Sequence, residues 1–297
     1  MRPLVLSLTL NEYETVFGRM MQTHHRYADR HDADYQVVGT NEWTDLGREC
    51  TWIKIVLILA ALEDGRPWVM FVDNDTVIRR SCPDFRSVAE PGKHVYMARG
   101  FSGRYNSGVM IVRNHPSSIA FFRDVLTKMR RDLPQKDDVG WGENGAVINT
   151  AHDYPEVAEI SRRWNNNRSL WIFDHIRHYS AGPLRRRYWF KSEERRRLQI
   201  ILEKTVSNIC DSREAQIKAL DELYLRLCPP GSAVGYYGAQ KYFGQFFGNG
   251  AHSFAYDQDR TGPTAAPQGH ADNGRVLPPA SQRPMQGAPE KVGQAAD

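Results

Sequence analysis

The stretch that most constrains this chain is Trp68 to Ile78, which reads WVMFVDNDTVI. Its apolar half is rich in Val and Phe, too short for a core helix, and entered through Gly65 and Pro67. Such a run is a strand buried on both faces, as in a parallel sheet covered by helices, and it predicts an α/β fold. It runs into Asp73-Asn74-Asp75. Side chains two apart on a strand share a face, so Asp73 and Asp75 are predicted to point the same way where the strand opens into a loop. Open α/β sheets take their ligands at the carboxyl ends of their strands. Two carboxylates there form an oxygen-rich mouth for a hard divalent cation, which could hold a diphosphate. Asp and Asn are also ordinary turn residues, so the acidic pair needs support from the rest of the chain.

Upstream, Pro3 to Thr9 is predicted as the first strand, and Asn11 and Glu14 stand at capping-box spacing before a helix to about Asp29. The loop between them would lie beside the end of the acidic strand, offering Thr9 and Asn11 to a nucleotide base. His24, His25 and His31 fall on that helix among Arg, Asp and Tyr, which predicts a solvated face. Tyr35 to Val38 is a second strand, and Leu46 to Glu63 a helix stopped at Gly65. On composition alone, Lys54 within that helix is a solvated lysine.

Downstream, His94 to Ala98 and Val109 to Val112 are further strands. Asn106-Ser107-Gly108 heads the second and offers amide, hydroxyl and backbone donors where glycine permits close approach, a corner suited to sugar hydroxyls. Pro116 opens an amphipathic helix to about Arg131. Gly140 to Ala146 (GWGENGA) is a glycine-rich loop entering a short helix through Asn149, with Glu143 and Asn144 its polar groups facing a cavity. Trp164 to Arg168 is irregular and Leu170 to Phe173 a final short strand.

At 297 residues and 41% hydrophobic, the chain can bury one large core. No apolar run reaches the ~18 residues of a membrane span. Cys50, Cys82, Cys210 and Cys228 have neither close pairing nor C-x-x-C spacing, which argues against a disulfide framework or zinc site and fits a reducing cytoplasm. Residues 185–204 hold eight basic and three acidic residues, with Arg185 to Arg187 and Arg195 to Arg197 flanking Tyr188-Trp189-Phe190. That segment reads as a basic helical extension to Cys228, able to grip a diphosphate or to dock peripherally on an anionic inner membrane face. From 229 to 297, 19 of 69 residues are Gly or Pro, so no packed domain is expected there. Tyr236 to Tyr256 is expected to dock locally and Asp257 to Asp297 to be disordered. The predicted organisation is one domain over 1–228 and a low-complexity tail.

With these pieces in order, the chain resembles the GT-A-fold glycosyltransferases, nearest to the galactosyl/xylosyltransferase family of fungal mannan and plant xyloglucan enzymes. The resemblance rests on Trp52-x-Lys54, Asp73-Asn74-Asp75, Asn106-Ser107-Gly108, Glu143-Asn144-Gly145-Ala146 and the late His178-Tyr179-x-x-Gly182, covering residues 1–185. It implies a mostly parallel, Rossmann-like sheet and manganese-dependent (or magnesium-dependent) transfer of a hexosyl or pentosyl group, galactosyl foremost, from a UDP-sugar to a glycan or glycolipid hydroxyl, with retention. Asp73, Asp75 and His178 would hold the metal; Thr9, Asn11, Lys54, Asn74, Asn106 and Gly182 would line the donor site. Glu143 would grip the donor sugar and Asn144 face the anomeric carbon. An imidazole beside two carboxylates favours manganese over magnesium independently of the resemblance. The family's Asp-Gln pair is Glu143-Asn144 here, and its histidine lies closer to the following glycine, which leaves His175 as an alternative ligand. The rival readings are nucleotidyl transfer on a related fold, or an RNA- or membrane-binding protein acting through residues 185–197. No nucleic-acid partner is expected on the favoured reading.

Overall fold

The computed structural model describes residues 1–228 except 41, 45, 130, 141, 181 and 206–211, so the expectations for the tail lie outside the described residues. Its central sheet has the order β2 (Asp34–Gly39), β1 (Leu4–Thr9), β3 (Trp68–Val72), β6 (Tyr105–Arg113), β5 (Val95–Arg99), β7 (Val157–Glu159). β1 pairs in parallel with β2 and β3, and β5 with β7; only β6 runs against its neighbours β3 and β5. The mostly parallel sheet flanked by helices is therefore present.

The strands carry apolar side chains on both faces, as burial on both sides requires. Leu4, Leu6, Val69, Phe71, Met110 and Val112 join a core formed with α2 (Ile53–Glu63), α3 (Pro116–Thr127), α4 (Asn144–Ala151) and α6 (Arg213–Leu227). α2 is apolar on all sides and buried along ten of its eleven residues, the signature of a helix enclosed by neighbours. On the other face, Val5, Met70, Val72, Val109 and Ile111 pack with Tyr27 and Ala28 of α1 (Tyr13–Arg30), Phe85, Trp164 and Ile176. α5 (Ser192–Thr205) adds Leu198 and Ile201 to Val16, Phe17 and Met20 of α1.

Several sequence expectations are corrected. Trp68 to Ile78 is two strands, β3 and β4 (Thr76–Ile78), because the Asp73-Asn74-Asp75 turn redirects the chain into a separate ribbon with β8 (Ile176–His178). The helix read from Leu46 opens as a 3₁₀ turn, Gly47–Trp52, before α2. Leu170 to Phe173 is a turn, and the late strand is β8. Asn11 does not cap α1: Asn11 and Glu12 both take left-handed backbone, and the Asn11 amide oxygen instead accepts from Thr44 N (2.7 Å). The basic extension is not one helix but a 3₁₀ turn at Arg185–Arg187, then α5 and α6.

His24 is also not solvated. It is buried between Ser7 Oγ (3.2 Å from Nδ1) and the carbonyl and hydroxyl of Thr76 (2.9 and 2.8 Å from Nε2), tying α1 to β4. Burial pushes its imidazole from the ordinary 6.5 down to about 4. The unfolded chain thus takes up a proton that the folded one refuses: stability is full above about pH 6.5 and falls as pH drops from there to about 4, by about 3 kcal/mol. His24→Gln should be less stable at pH 7 but show a shallower loss between pH 6.5 and 4.5, measured by urea unfolding. Equal slopes in both proteins would refute this role.

Candidate functional site

Strand pairing assembles the site. β6 runs antiparallel to β3 with Val109 opposite Val72, so Gly108 O accepts from Asp73 N (2.8 Å) and Asn106-Ser107-Gly108 comes alongside the acids. β4 pairs with β8 with Thr76 opposite His178, and Asp75 O accepts from Tyr179 N (2.8 Å). The histidine thus reaches Asp73 and Asp75 from a hundred residues away through a three-residue ribbon.

His178 is buried, its Nε2 3.1 Å from Asp75 Oδ1 and 3.8 Å from Asp73 Oδ2. Its Nδ1 lies 2.8 Å from Asn165 Oδ1. The Asn165 amide nitrogen donates to Asn106 O and Oδ1 (3.0 and 2.9 Å), which turns the Asn165 oxygen toward the ring and makes Nδ1 the donor. Nε2 is left facing the carboxylates, the arrangement in which a ligating histidine is held by a second hydrogen bond. One atom each from Asp73, Asp75 and His178 lie within 4.8 Å of one another. Gly108 completes the cradle, since a Cβ there would stand 2.2 Å from His178 Cε1 and 2.7 Å from Asp73 Oδ2. Two carboxylates and an oriented imidazole around a glycine-made space fit a divalent transition metal.

A buried lysine and a half-buried arginine attend the acids. Lys54 Nζ lies 3.0 Å from both Asp73 Oδ1 and Glu143 Oε1. Burial works against its charge, but Asp73 and Glu143 more than offset this and raise its pKa. Arg185 donates to Asp75 Oδ2 and to Tyr179 O. Burial raises Asp73 despite Lys54; for Asp75 burial is outweighed by His178 and Arg185, which hold the carboxyl well below the usual range. Two fixed cations against Asp73, Asp75 and Glu143 leave a negative charge for a metal to neutralise.

A cavity of about 530 Å³ opens over this group, within the size range of small-ligand sites. Asn11, Lys54, Asp73, Asn74, Asp75, Asn106, Glu143, Asn144 and His178 all line it. Asn74 Oδ1 is buried there without a hydrogen-bond partner among the described residues. Glu143 accepts from Ser107 Oγ (2.7 Å) as well as Lys54, and Asn144 Oδ1 from Ser107 N (2.8 Å), so both are braced against β6. Thr9 does not line the cavity although Leu8 and Leu10 do, as strand alternation dictates. Gly182 lies behind the wall, where a Cβ would meet the Phe101 ring at 3.0 Å. His175 packs against Trp164 with ring centroids 5.0 Å apart and the planes tilted, and is not part of the acid–histidine group.

The basic segment is divided in use. Arg185 belongs to the site; Arg196 and Arg197 pair with Glu193, and Arg197 also with Glu12. Tyr188 and Phe190 pack toward α1, leaving Trp189 as the exposed member of the aromatic trio. Arg186, Arg187 and Arg195 remain exposed with Trp189. Asn165 and Tyr13 are site residues that the sequence does not single out; Asn165 sits in a turn-prone run whose function appears only once β8 is paired.

This sheet order, with an acidic turn after a central strand and a late histidine beside it, defines the GT-A class of glycosyltransferase folds. Residues 11–156, just under half of the chain, match the family model of nucleotide-diphospho-sugar transferases. Among solved structures, a glycosyltransferase involved in glycosylation of the major capsid of PBCV-1 is similar at 11% identity, covering 68% of this chain and 98% of that one with a TM-score of 0.50, a likeness of fold. GlyE, a glycosyltransferase of Streptococcus pneumoniae, is 13% identical over 76% of this chain and 64% of its own (TM-score 0.41). A Drosophila β-1,4-galactosyltransferase 7 mutant, in complex with manganese, UDP-Gal and xylobiose, is 12% identical over 66% of this chain and 79% of its own (TM-score 0.37). Among curated proteins no sequence matches significantly. No described helix is long and apolar enough to cross a membrane.

Proposed function

We propose that the protein is a metal-dependent glycosyltransferase that moves a hexosyl or pentosyl group, galactosyl foremost, from a UDP-sugar to a hydroxyl of a glycan or glycolipid. The observation that carries this reading is the convergence of Asp73, Asp75 and His178 at the floor of a cavity large enough for a nucleotide-sugar. The finer likeness to galactosyl/xylosyltransferases rests on motif order. The three residues would hold manganese, or magnesium, as ligands. When bound, the ion supplies Lewis-acid stabilisation of the diphosphate leaving group.

The chain's own groups divide the remaining work. Leu8, Leu10, Asn11 and Tyr13 form the wall beside β1 and would receive the nucleoside. Arg185, within reach of Asp75, would steady the diphosphate by charge-assisted hydrogen bonds. Asn106 and Asn74 offer amides to sugar hydroxyls, and Asn144 would stand at the anomeric carbon. Inversion needs a free carboxylate base facing the acceptor hydroxyl. Glu143 is buried, paired with Lys54 and held by Ser107, which disfavours that role and supports retention. Buried free thiols at Cys50, Cys82 and Cys228 accord with a cytoplasmic setting.

UDP with manganese should raise the melting temperature, by an amount corresponding to about 2.7 kcal/mol when ligand is at 100 times its Kd. Asp73→Asn should abolish the manganese-dependent part. An unchanged melting temperature at millimolar UDP and manganese, in protein shown to be folded, would overturn the reading. Product anomers resolved by NMR would decide retention.

A further inference from the structure

The turn at residues 168–173 presents the most exposed apolar surface of the described protein. Leu170, Trp171 and Phe173 are 39%, 93% and 77% exposed. Isolated exposed apolar residues are ordinary, but three in one short turn are not. The turn is also built rather than loose. Asn166 Oδ1 accepts from Arg168 N and Ser169 N (both 3.2 Å), its amide donates to Ser169 O (2.7 Å), and Ser169 Oγ accepts from Trp171 N (3.2 Å). Arg163 Nε donates to Phe173 O (2.7 Å) and its guanidinium stands 5.8 Å from the Phe173 ring. These bonds fix the turn in a form that leaves the aromatic side chains in solvent.

Around them the charge is of one sign. Arg162, Arg163 and Arg168 are exposed, and none makes an ion pair with a described residue. The one acid of the segment, Asp174, is buried and taken by Arg79, Arg177 and Asn166. Apolar and aromatic side chains at the tip with arginines at the rim match the interface of a bilayer carrying anionic lipid: rings among the headgroups, guanidiniums on phosphates. A free oligosaccharide would be met by hydrogen-bonding amides or carboxylates beside the rings, and the rim offers arginines instead.

We infer that the Leu170–Phe173 turn is a membrane-docking wedge that seats this protein peripherally on an anionic lipid surface. The wedge adjoins the cavity. Asn167, two residues before Ser169, lines it and accepts from Phe101 N (2.8 Å), and the same segment leads through β8 to His178. Docking would therefore bring the cavity close to the lipid surface and, resting on the proposed transferase reading, favour an acceptor carried by a lipid. This moves the docking surface from the arginines of 185–197 to a different element.

The test is co-sedimentation of the full chain with vesicles of 70% phosphatidylcholine and 30% phosphatidylglycerol, beside pure phosphatidylcholine, at about 50 mM and 500 mM salt, where screening separates charge from insertion. The wild type should bind the anionic vesicles, more weakly at high salt. Trp171→Ala with Phe173→Ala should lower the partition about 10-fold or more, and Arg162→Gln, Arg163→Gln and Arg168→Gln together about 100-fold. Tryptophan emission of the wild type, but not of the Trp171→Ala variant, should be quenched by brominated lipid. Absence of binding to anionic vesicles at low salt, or equal binding by the aromatic variant, overturns the wedge. Quenching of Trp171 by a soluble oligosaccharide with no binding to vesicles also overturns it and assigns the turn to glycan. Both variants should keep the melting-temperature shift with UDP and manganese, so a failed transferase reading and a failed docking reading give different results.

Discussion

Lys54→Met should destabilise the protein by about 3–5 kcal/mol, the cost of breaking a buried ion pair by removing one partner. Lys54 is 4% exposed and is the shared counter-ion of Asp73 and Glu143, at 3.0 Å from each. Its Nζ also stands 5.1 Å from the Phe71 ring centroid, and methionine keeps an apolar stem of similar length in place, so the experiment isolates the charge. Without it, two carboxylates face one another at the end of β3, with Arg185 on Asp75 as the remaining fixed cation of the group. Urea unfolding at pH 7 measures the loss, and for a domain of this size each kcal/mol moves the melting temperature by about 2–4 °C. Adding Glu143→Gln should recover roughly half of it, because only Asp73 is then left without its partner. A Lys54→Met protein within about 1 kcal/mol of wild type would show that the site tolerates its acids unpaired. The expected outcome is that the lysine makes the acidic pair possible in the absence of metal.

Lys54 also marks the limit of what the sequence reveals. The β3 run and its Asp-x-Asp end were legible because a doubly buried strand is apolar without interruption and charge can enter only where it stops. α2 was legible for the same reason, yet that uniform apolarity hides which helix face meets which neighbour. A single lysine in it reads as solvated until α2 is seen pressed against the acids. The antiparallel direction of β6 carries no local signal at all. Its residues alternate as any strand's do, and only pairing tells that Asn106-Ser107-Gly108 lies beside Asp73. The ribbon of β4 and β8 is three residues per strand, below the length at which periodicity distinguishes a strand from a turn. For this reason the late strand was expected at Leu170 to Phe173, where apolar residues cluster. The structure holds those residues in a solvent-facing turn and gives the strand to Ile176, Arg177 and His178. Arginines at 185–197 looked alike as a string; burial alone separates Arg185, on Asp75, from Arg196, on an exposed α5 glutamate.

Gly108→Ala should remove manganese-dependent UDP binding while leaving a folded protein. A Cβ on Gly108 would come within 2.2 Å of His178 Cε1, 2.8 Å of His178 Nδ1 and 2.7 Å of Asp73 Oδ2, distances no real contact adopts. The strand cannot yield, because Gly108 O is bonded to Asp73 N and β6 is clamped between β3 and β5. The imidazole must move, and moving it breaks the Asn165 hydrogen bond that aims Nε2 at the carboxylates. Loss of that orientation weakens metal affinity about 10–100-fold even when all ligands remain, and displacing the ligand itself costs more. Overpacking should cost the fold only about 1–3 kcal/mol. Gly18→Ala is the matched control: it lies in α1 with nothing within 4 Å of an added Cβ, and should gain a few tenths of a kcal/mol to about 1 kcal/mol from helix propensity. His178→Ala added to Gly108→Ala frees the space the methyl needs, so stability should recover in the double variant while UDP binding does not. That split separates a methyl that fills a metal cradle from one that merely strains a strand. If Gly108→Ala keeps the wild-type melting shift with UDP and manganese, the cradle formed by Asp73, Asp75 and His178 is not where the donor's metal sits.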